Sequence, residues 1–201
     1  SVSRRAAQPG ARGGAHVAGR RRRGGADRTR VHSFIVKPPN FTAGRKYPLL
    51  FLIHGGPHGE WGEAWTYRWN AQVFASAGYV VVMPNPRGSN GYGQKFSDEV
   101  NADWGGKVFV DLMKGVDYAL AHFPFVDGTR MAAAGGSYGG YMVNWIAGHT
   151  NRFKAISRGA GTSNWISMYA QSDVQRNRQH YLGDKLPYDD FDAYWRQSPI
   201  R

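Results

Sequence analysis

A chain of 201 residues is one domain's worth of polypeptide, and with 41% hydrophobic and 14% aromatic residues it can build a core, while no apolar run approaches the length of a membrane span. The absence of cysteine excludes a disulfide framework, a thiolate metal site and a cysteine nucleophile, and leaves the compartment open. The net charge of +12 suggests nucleic acid until it is located: residues 1 to 30 hold nine arginines against one acid, Asp27, and so carry +8, leaving only +4 on the body.

Residues 1 to 30 are built of Arg, Gly and Ala, including the block Arg20-Arg21-Arg22-Arg23-Gly24-Gly25. They show no hydrophobic periodicity with which to repay ordering entropy, so a disordered tail is expected. No apolar stretch follows the arginines as it would in a secretory signal. A basic arm for nucleic acid or an anionic membrane is the alternative to a solvated leader; the mildly basic body favours the leader, and no nucleic-acid partner is expected.

The texture changes at Val31, which opens the second unit, residues 31 to 201. Phe34-Ile35-Val36 reads as a short strand stopped by Pro38-Pro39. Leu49 to Ile53 is a continuous apolar run, as in a strand buried on both faces of a parallel sheet, and it ends in the turn His54-Gly55-Gly56-Pro57. Tyr67 to Ala77 reads as a helix closed by Gly78. Tyr79 to Met83 is a second buried strand, ended by Pro84, and a Gly/Pro loop runs from Asn85 to Gly93. Val108, Leu112, Val116 and Leu120 recur every fourth residue and predict an amphipathic helix. Met131 to Ala134 is a short strand, Tyr141 to Ala147 a helix, and Phe153 to Ile156 the start of another strand. Strands alternating with helices predict a mostly parallel sheet with helices on both faces. Beyond Gly161 the chain is polar and aromatic, with short helices expected near 166–172 and 191–197 and no strong strand.

Gly135-Gly136-Ser137-Tyr138-Gly139-Gly140 lies between the strand at Met131 and the helix at Tyr141. A Gly-x-Ser-x-Gly turn in that setting lifts a serine hydroxyl above the sheet's carboxyl edge, where the following helix aims its first amides, so Ser137 is the candidate nucleophile. A helix-capping serine is the structural alternative. The turn after Leu49–Ile53 is where such sites place a second donor, which makes the amides of Gly56 and Tyr138 the candidate oxyanion hole. His54 is expected to be a turn histidine bonded to nearby backbone, because the base should follow the serine in the chain.

Ile53-His54-Gly55-Gly56-Pro57, Pro84-Asn85-Pro86-Arg87-Gly88-Ser89 through Gly93, Asp103-Trp104-Gly105-Gly106 and Gly135 to Tyr141 occur in the order found in one family. Over roughly Phe34 to Ile200 the chain strongly resembles the catalytic domain of the prolyl oligopeptidase family of serine peptidases, in its acylaminoacyl-peptidase and dipeptidyl-peptidase-5-like branch. The resemblance implies an α/β-hydrolase fold, an acyl-enzyme on Ser137, an oxyanion hole from Gly56 and Tyr138, a peptide or acyl-peptide substrate, and neither cofactor nor metal. Arg87 and Asp103 are read as scaffold, through ion pairs or loop hydrogen bonds.

Family members carry an acid and then a histidine after the serine, and a β-propeller before it. This chain ends 64 residues past Ser137, so it is expected to be a partial catalytic domain whose last strands, acid and base lie beyond Arg201. His149, about three helical turns past the serine, and His180, at no family catalytic position, are not expected to act as base. A sheet without its last strands has an unpaired edge, and dimerisation or aggregation is expected. A carboxylesterase on the same scaffold and an inactive fragment serving as a binding module are the alternatives.

Overall fold

The computed structural model describes residues 12–18, as backbone, and 29–201. Six strands form one sheet in the order β1-β2-β4-β3-β5-β6. Strands β1 (Arg12–Ala18) and β2 (Arg30–Val36) are antiparallel to each other, and β2 is antiparallel to β4 (Val80–Asn85). From β4 onward the sheet is parallel through β3 (Tyr47–Ile53), β5 (Val126–Gly136) and β6 (Ala155–Gly159). The helices are α1 (Ala71–Ser76), α2 (Gln94–Asp98), α3 (Lys107–His122), α4 (Tyr138–His149), α5 (Trp165–Gln171), α6 (Gln175–Tyr181) and α7 (Phe191–Arg196).

The unbroken apolar run of β3 follows from its two-sided burial. Leu49, Phe51 and Ile53 pack on one face with Val108, Leu112 and Val116 of α3 and Tyr141, Met142 and Ile146 of α4. Leu50 and Leu52 pack on the other with Ala71 and Ala75 of α1. Alternation of side chains across a strand thus feeds two cores, as the sequence pattern predicts. Strand β6 is the outer strand of the sheet in this chain, and Ala155, Ile156, Ser157 and Arg158 are exposed.

Several boundaries differ from expectation. Helix α1 starts at Ala71, four residues after Tyr67, because Asn70 caps it: its side chain accepts from Gln72 N at 2.9 Å, and Trp69 before it has φ 39°. Strand β5 extends on both sides of Met131–Ala134, pairing from Val126 through Gly136. Helix α6 is an addition, since Gln175-Arg176-Asn177-Arg178-Gln179-His180 carries no apolar period to announce it. Within the stretch expected to lack order, Arg12–Ala18 pairs with β2 from Arg12↔Val36 to Ala18↔Arg30. Ladder hydrogen bonds are made by backbone and need no hydrophobic pattern, which is why composition gives no warning of such a strand. The other positions of that segment, 1–11 and 19–28, lie outside the described residues.

Candidate active site

Strand β5 delivers the chain into a turn in which Ser137 has φ 58° and ψ −120°. A non-glycine residue there stores strain of order 1–3 kcal/mol and is held only when its surroundings fix it. They do so at both ends. Ser137 N–H donates to Gly159 O of β6 at 2.9 Å, and Ser137 O accepts from Tyr141 N at 3.0 Å, opening α4. The flanking glycines let backbone meet backbone: a Cβ on Gly139 would collide with Ile53 O, and one on Gly140 with Gly159 O. The serine side chain is left exposed.

The turn after β3 lies directly against it. A Cβ on Gly55 would stand 3.1 Å from Ser137 Cβ and 3.7 Å from its Oγ. Gly56, Ser137 and Tyr138 line one small cleft of about 30 Å³, so the three residues singled out by sequence are brought together. Among the described residues, neither the Gly56 nor the Tyr138 amide donates to a backbone carbonyl. The Tyr138 amide also stands at the positive end of the twelve-residue α4. Its side chain points elsewhere: the hydroxyl donates to Trp104 O at 2.8 Å, and burial pushes its pKa well above the ordinary phenol value. The Tyr138 phenol is thus bonded into the core through Trp104.

A buried polar brace holds the Gly55–Gly56 turn. His54 is 6% exposed, and burial holds its pKa below 6.5, opposed by its bond to Gly55 O. In the neutral ring Nδ1–H donates to Gly55 O at 2.7 Å, leaving Nε2 as an acceptor 2.8 Å from Ser89 Oγ. Ser89 Oγ is also 2.6 Å from Pro86 O and shares its proton between the two acceptors. Next in the loop, Arg87 binds Asp111 of α3 through Nε at 2.9 Å and Nη2 at 2.7 Å, and pairs with Glu99 at 3.2 Å. The expected turn histidine and scaffold arginine are thus parts of one chain of contacts from the serine turn to α3. Asp103 plays a separate part, accepting from Lys107 N at 3.0 Å at the start of α3. Sequence reasoning missed Asp111; its signal was an acid on the apolar face of α3, beside Leu112 and one turn from Val108.

The two histidines after the serine are engaged elsewhere. His149 stacks on Trp145 with ring centroids 4.2 Å apart and bonds Trp145 O at 2.8 Å. His180 pairs with Asp184 at 3.0 Å on the surface. Among the described residues no side chain hydrogen-bonds to Ser137 Oγ, and no cluster of three or more His, Asp or Glu side chains is arranged to hold a metal. No helix among them is long and apolar enough to cross a membrane.

Relatives share this architecture. Dipeptidyl-peptidase 5 of Trichophyton equinum is 51% identical over 137 residues, which is 67% of this chain and 19% of that protein. Dipeptidyl-peptidase 5 of Schizosaccharomyces pombe is 42% identical over 172 residues, 85% of this chain and 25% of that protein. The chain therefore spans a fifth to a quarter of the length of these relatives. Among solved structures, an acylaminoacyl peptidase in complex with Z-Gly-Gly-Phe-chloromethyl ketone superposes with a TM-score of 0.85 at 31% identity, over 96% of this chain and 30% of that one. The Pyrococcus horikoshii acylaminoacyl peptidase superposes with a TM-score of 0.84, also at 31% identity and with the same coverage. Residues 65–201, which include the Ser137 turn and all of α1 to α7, match the prolyl oligopeptidase family, and the chain belongs to that family with an α/β-hydrolase fold.

Proposed function

We propose that Ser137 is the nucleophile of a serine peptidase that cleaves peptide or acyl-peptide bonds through an acyl-enzyme. The observation that carries this is the strained Ser137 turn sharing one cleft with Gly56 and Tyr138. Ser137 Oγ attacks the scissile carbonyl carbon as its proton passes to a general base, and the carbonyl oxygen becomes an oxyanion facing the two amides. Collapse of the tetrahedral adduct breaks the C–N bond, and the leaving amine takes the proton. Water then attacks the ester on Ser137 by the same route. Each amide donor contributes about 2.7–4 kcal/mol to such a step. The dipeptidyl and acylaminoacyl peptidase relatives favour an amide substrate over a simple ester.

With no described group bonded to Ser137 Oγ, we place the base and its acid partner in the part of the relatives' length that this chain does not span. A fluorophosphonate should label Ser137 in the native polypeptide and react far more slowly with residues 1–201 alone. A native protein that takes no label at Ser137 overturns the assignment, and rapid labelling of the 201-residue chain overturns the need for an outside base.

A further inference from the structure

Among the described residues, five other than glycine have φ in the left-handed region: Trp69 (39°), Ala102, Ser137 (58°), Ala160 (48°) and Asp184. Three of them meet at one point. The Trp69 ring lies over the carboxyl ends of β5 and β6, where Gly136 and Gly159 stand one residue ahead of Ser137 and Ala160. A Cβ on Gly136 would be 2.6 Å from Trp69 Cζ2, 3.0 Å from Cε2 and 3.2 Å from Nε1, so the indole rests directly on the backbone that leads into Ser137. A Cβ on Gly159 would stand 3.5 Å from Cζ2, in ordinary contact. The φ of Gly136 lies outside the left-handed region, so its missing side chain answers to the indole and not to a backbone angle. The ring thus spans the two strand ends that the Ser137 N–H···O Gly159 bond joins, and both Ser137 and Ala160 line the cleft. Trp69 is itself held: it is half-buried against the core of Leu50, Leu52 and Ala134, and Asn70 beside it caps α1 and donates from Nδ2 to Thr66 O at 2.9 Å.

We infer that Trp69 is a positioning residue for the serine, its indole pressing on Gly136 and Gly159 and so keeping Ser137 and Ala160 in their strained conformations. The inference rests on the reading of Ser137 as nucleophile, and Trp69 acts on the reaction through the serine's backbone. A strained residue persists only where its surroundings over-determine it. The hydrogen bonds at Ser137 N and O fix the turn towards β6 and along α4, and leave the α1 face of the sheet to be closed by packing. Relaxing φ at Ser137 must turn the Gly136–Ser137 peptide, and an indole in contact with Gly136 resists that movement. A close-packed interior passes such resistance on, because it has no void to absorb it.

The test is the rate at which a fluorophosphonate labels Ser137 in the native polypeptide, read beside hydrogen exchange of the Ser137 amide and the urea unfolding midpoint. Gly136→Ala, which drives a methyl group into the indole, should slow labelling about tenfold or more, since a misplacement of about 1 Å can cost about a hundredfold. Trp69→Leu, which empties the site, should slow labelling on the same scale and speed exchange of the Ser137 amide about tenfold. The double variant should label no more slowly than either single one, because leucine leaves room for the methyl group. Trp65→Leu changes a ring of the same loop that is 59% exposed and packs on Tyr67, and should leave the rate within about twofold. A Trp69 that merely fills the core would lower the urea midpoint and leave the labelling rate of the folded protein alone, and that outcome overturns the inference. Effects that multiply in the double variant overturn it as well. If Trp69→Leu does not fold, Trp69→Phe with and without Gly136→Ala takes its place and is judged in the same way. If Ser137 of the unaltered protein takes no label while its amide exchange still answers to Trp69→Leu, the positioning of the turn stands and the nucleophile assignment falls instead.

Discussion

Around the serine turn, backbone meets backbone: Gly139 against Ile53, Gly140 against Gly159, and the Gly55 turn against Ser137 itself. A buried ion pair, Arg87–Asp111, both side chains 5% exposed, ties the neighbouring loop to α3. Residues 163–201 attach by other means. Trp165, Leu182 and Tyr194 plug into the core, Trp104 meets Trp165 edge to face at 4.6 Å, and the outer surface carries the pairs His180–Asp184 and Lys185–Asp190. The first region has almost no freedom to adjust, which suits a reacting atom that must be held in place. The second meets the cleft through side chains, which suits recognition, because side chains change between relatives more easily than backbone crossings do.

The comparison breaks or sharpens on four measurements. Arg87→Met should have the largest effect, a loss of about 3–5 kcal/mol in urea unfolding, since it removes the guanidinium that compensates the buried Asp111 carboxylate. Pairing it with Asp111→Leu should recover most of that loss, and failure to recover would mean the loop needs the charges themselves. Gly139→Ala should cost about 1–3 kcal/mol and slow Ser137 labelling in the same protein, because the new Cβ forces the β3 end and the α4 start apart.

A smaller effect concerns pH. His54 has a folded pKa below 6.5, so its contribution is fully present above pH 6.5 and is lost as pH falls through the folded value. Between those values the unfolded imidazole holds a proton that the buried one refuses, and stability should fall by up to ~1.4 kcal/mol per pH unit. Comparing urea unfolding of the unaltered protein and His54→Gln from pH 7.5 down to 5 isolates the effect, and parallel curves would contradict it. His180→Ala should leave thermal unfolding unchanged, because its partner is an exposed carboxylate in the second region. A drop comparable to that of Arg87→Met would show that residues 163–201 are as tightly bound into the fold as the serine turn.

The amino-acid sequence alone determined the parallel sheet, the place of the serine turn and the nearness of Gly56 and Tyr138 to it. Each depends on short-range constraints that leave a local mark: apolar runs for strands buried on both faces, and glycines where chain crosses chain or φ turns positive. Tertiary structure alone decided the partners. Asp111 lies 24 residues from Arg87, and Gln197, whose side chain receives the Trp104 amide, lies 93 residues away. Nothing local to Trp104, Trp165 or Arg178 marks them as neighbours of Ser137. The helix carrying Arg178 has no apolar period, and its place is set by the packing of Leu182 and Tyr181 on the common core. Long-range contacts are fixed by the shape of that core, and no stretch of sequence records it by itself.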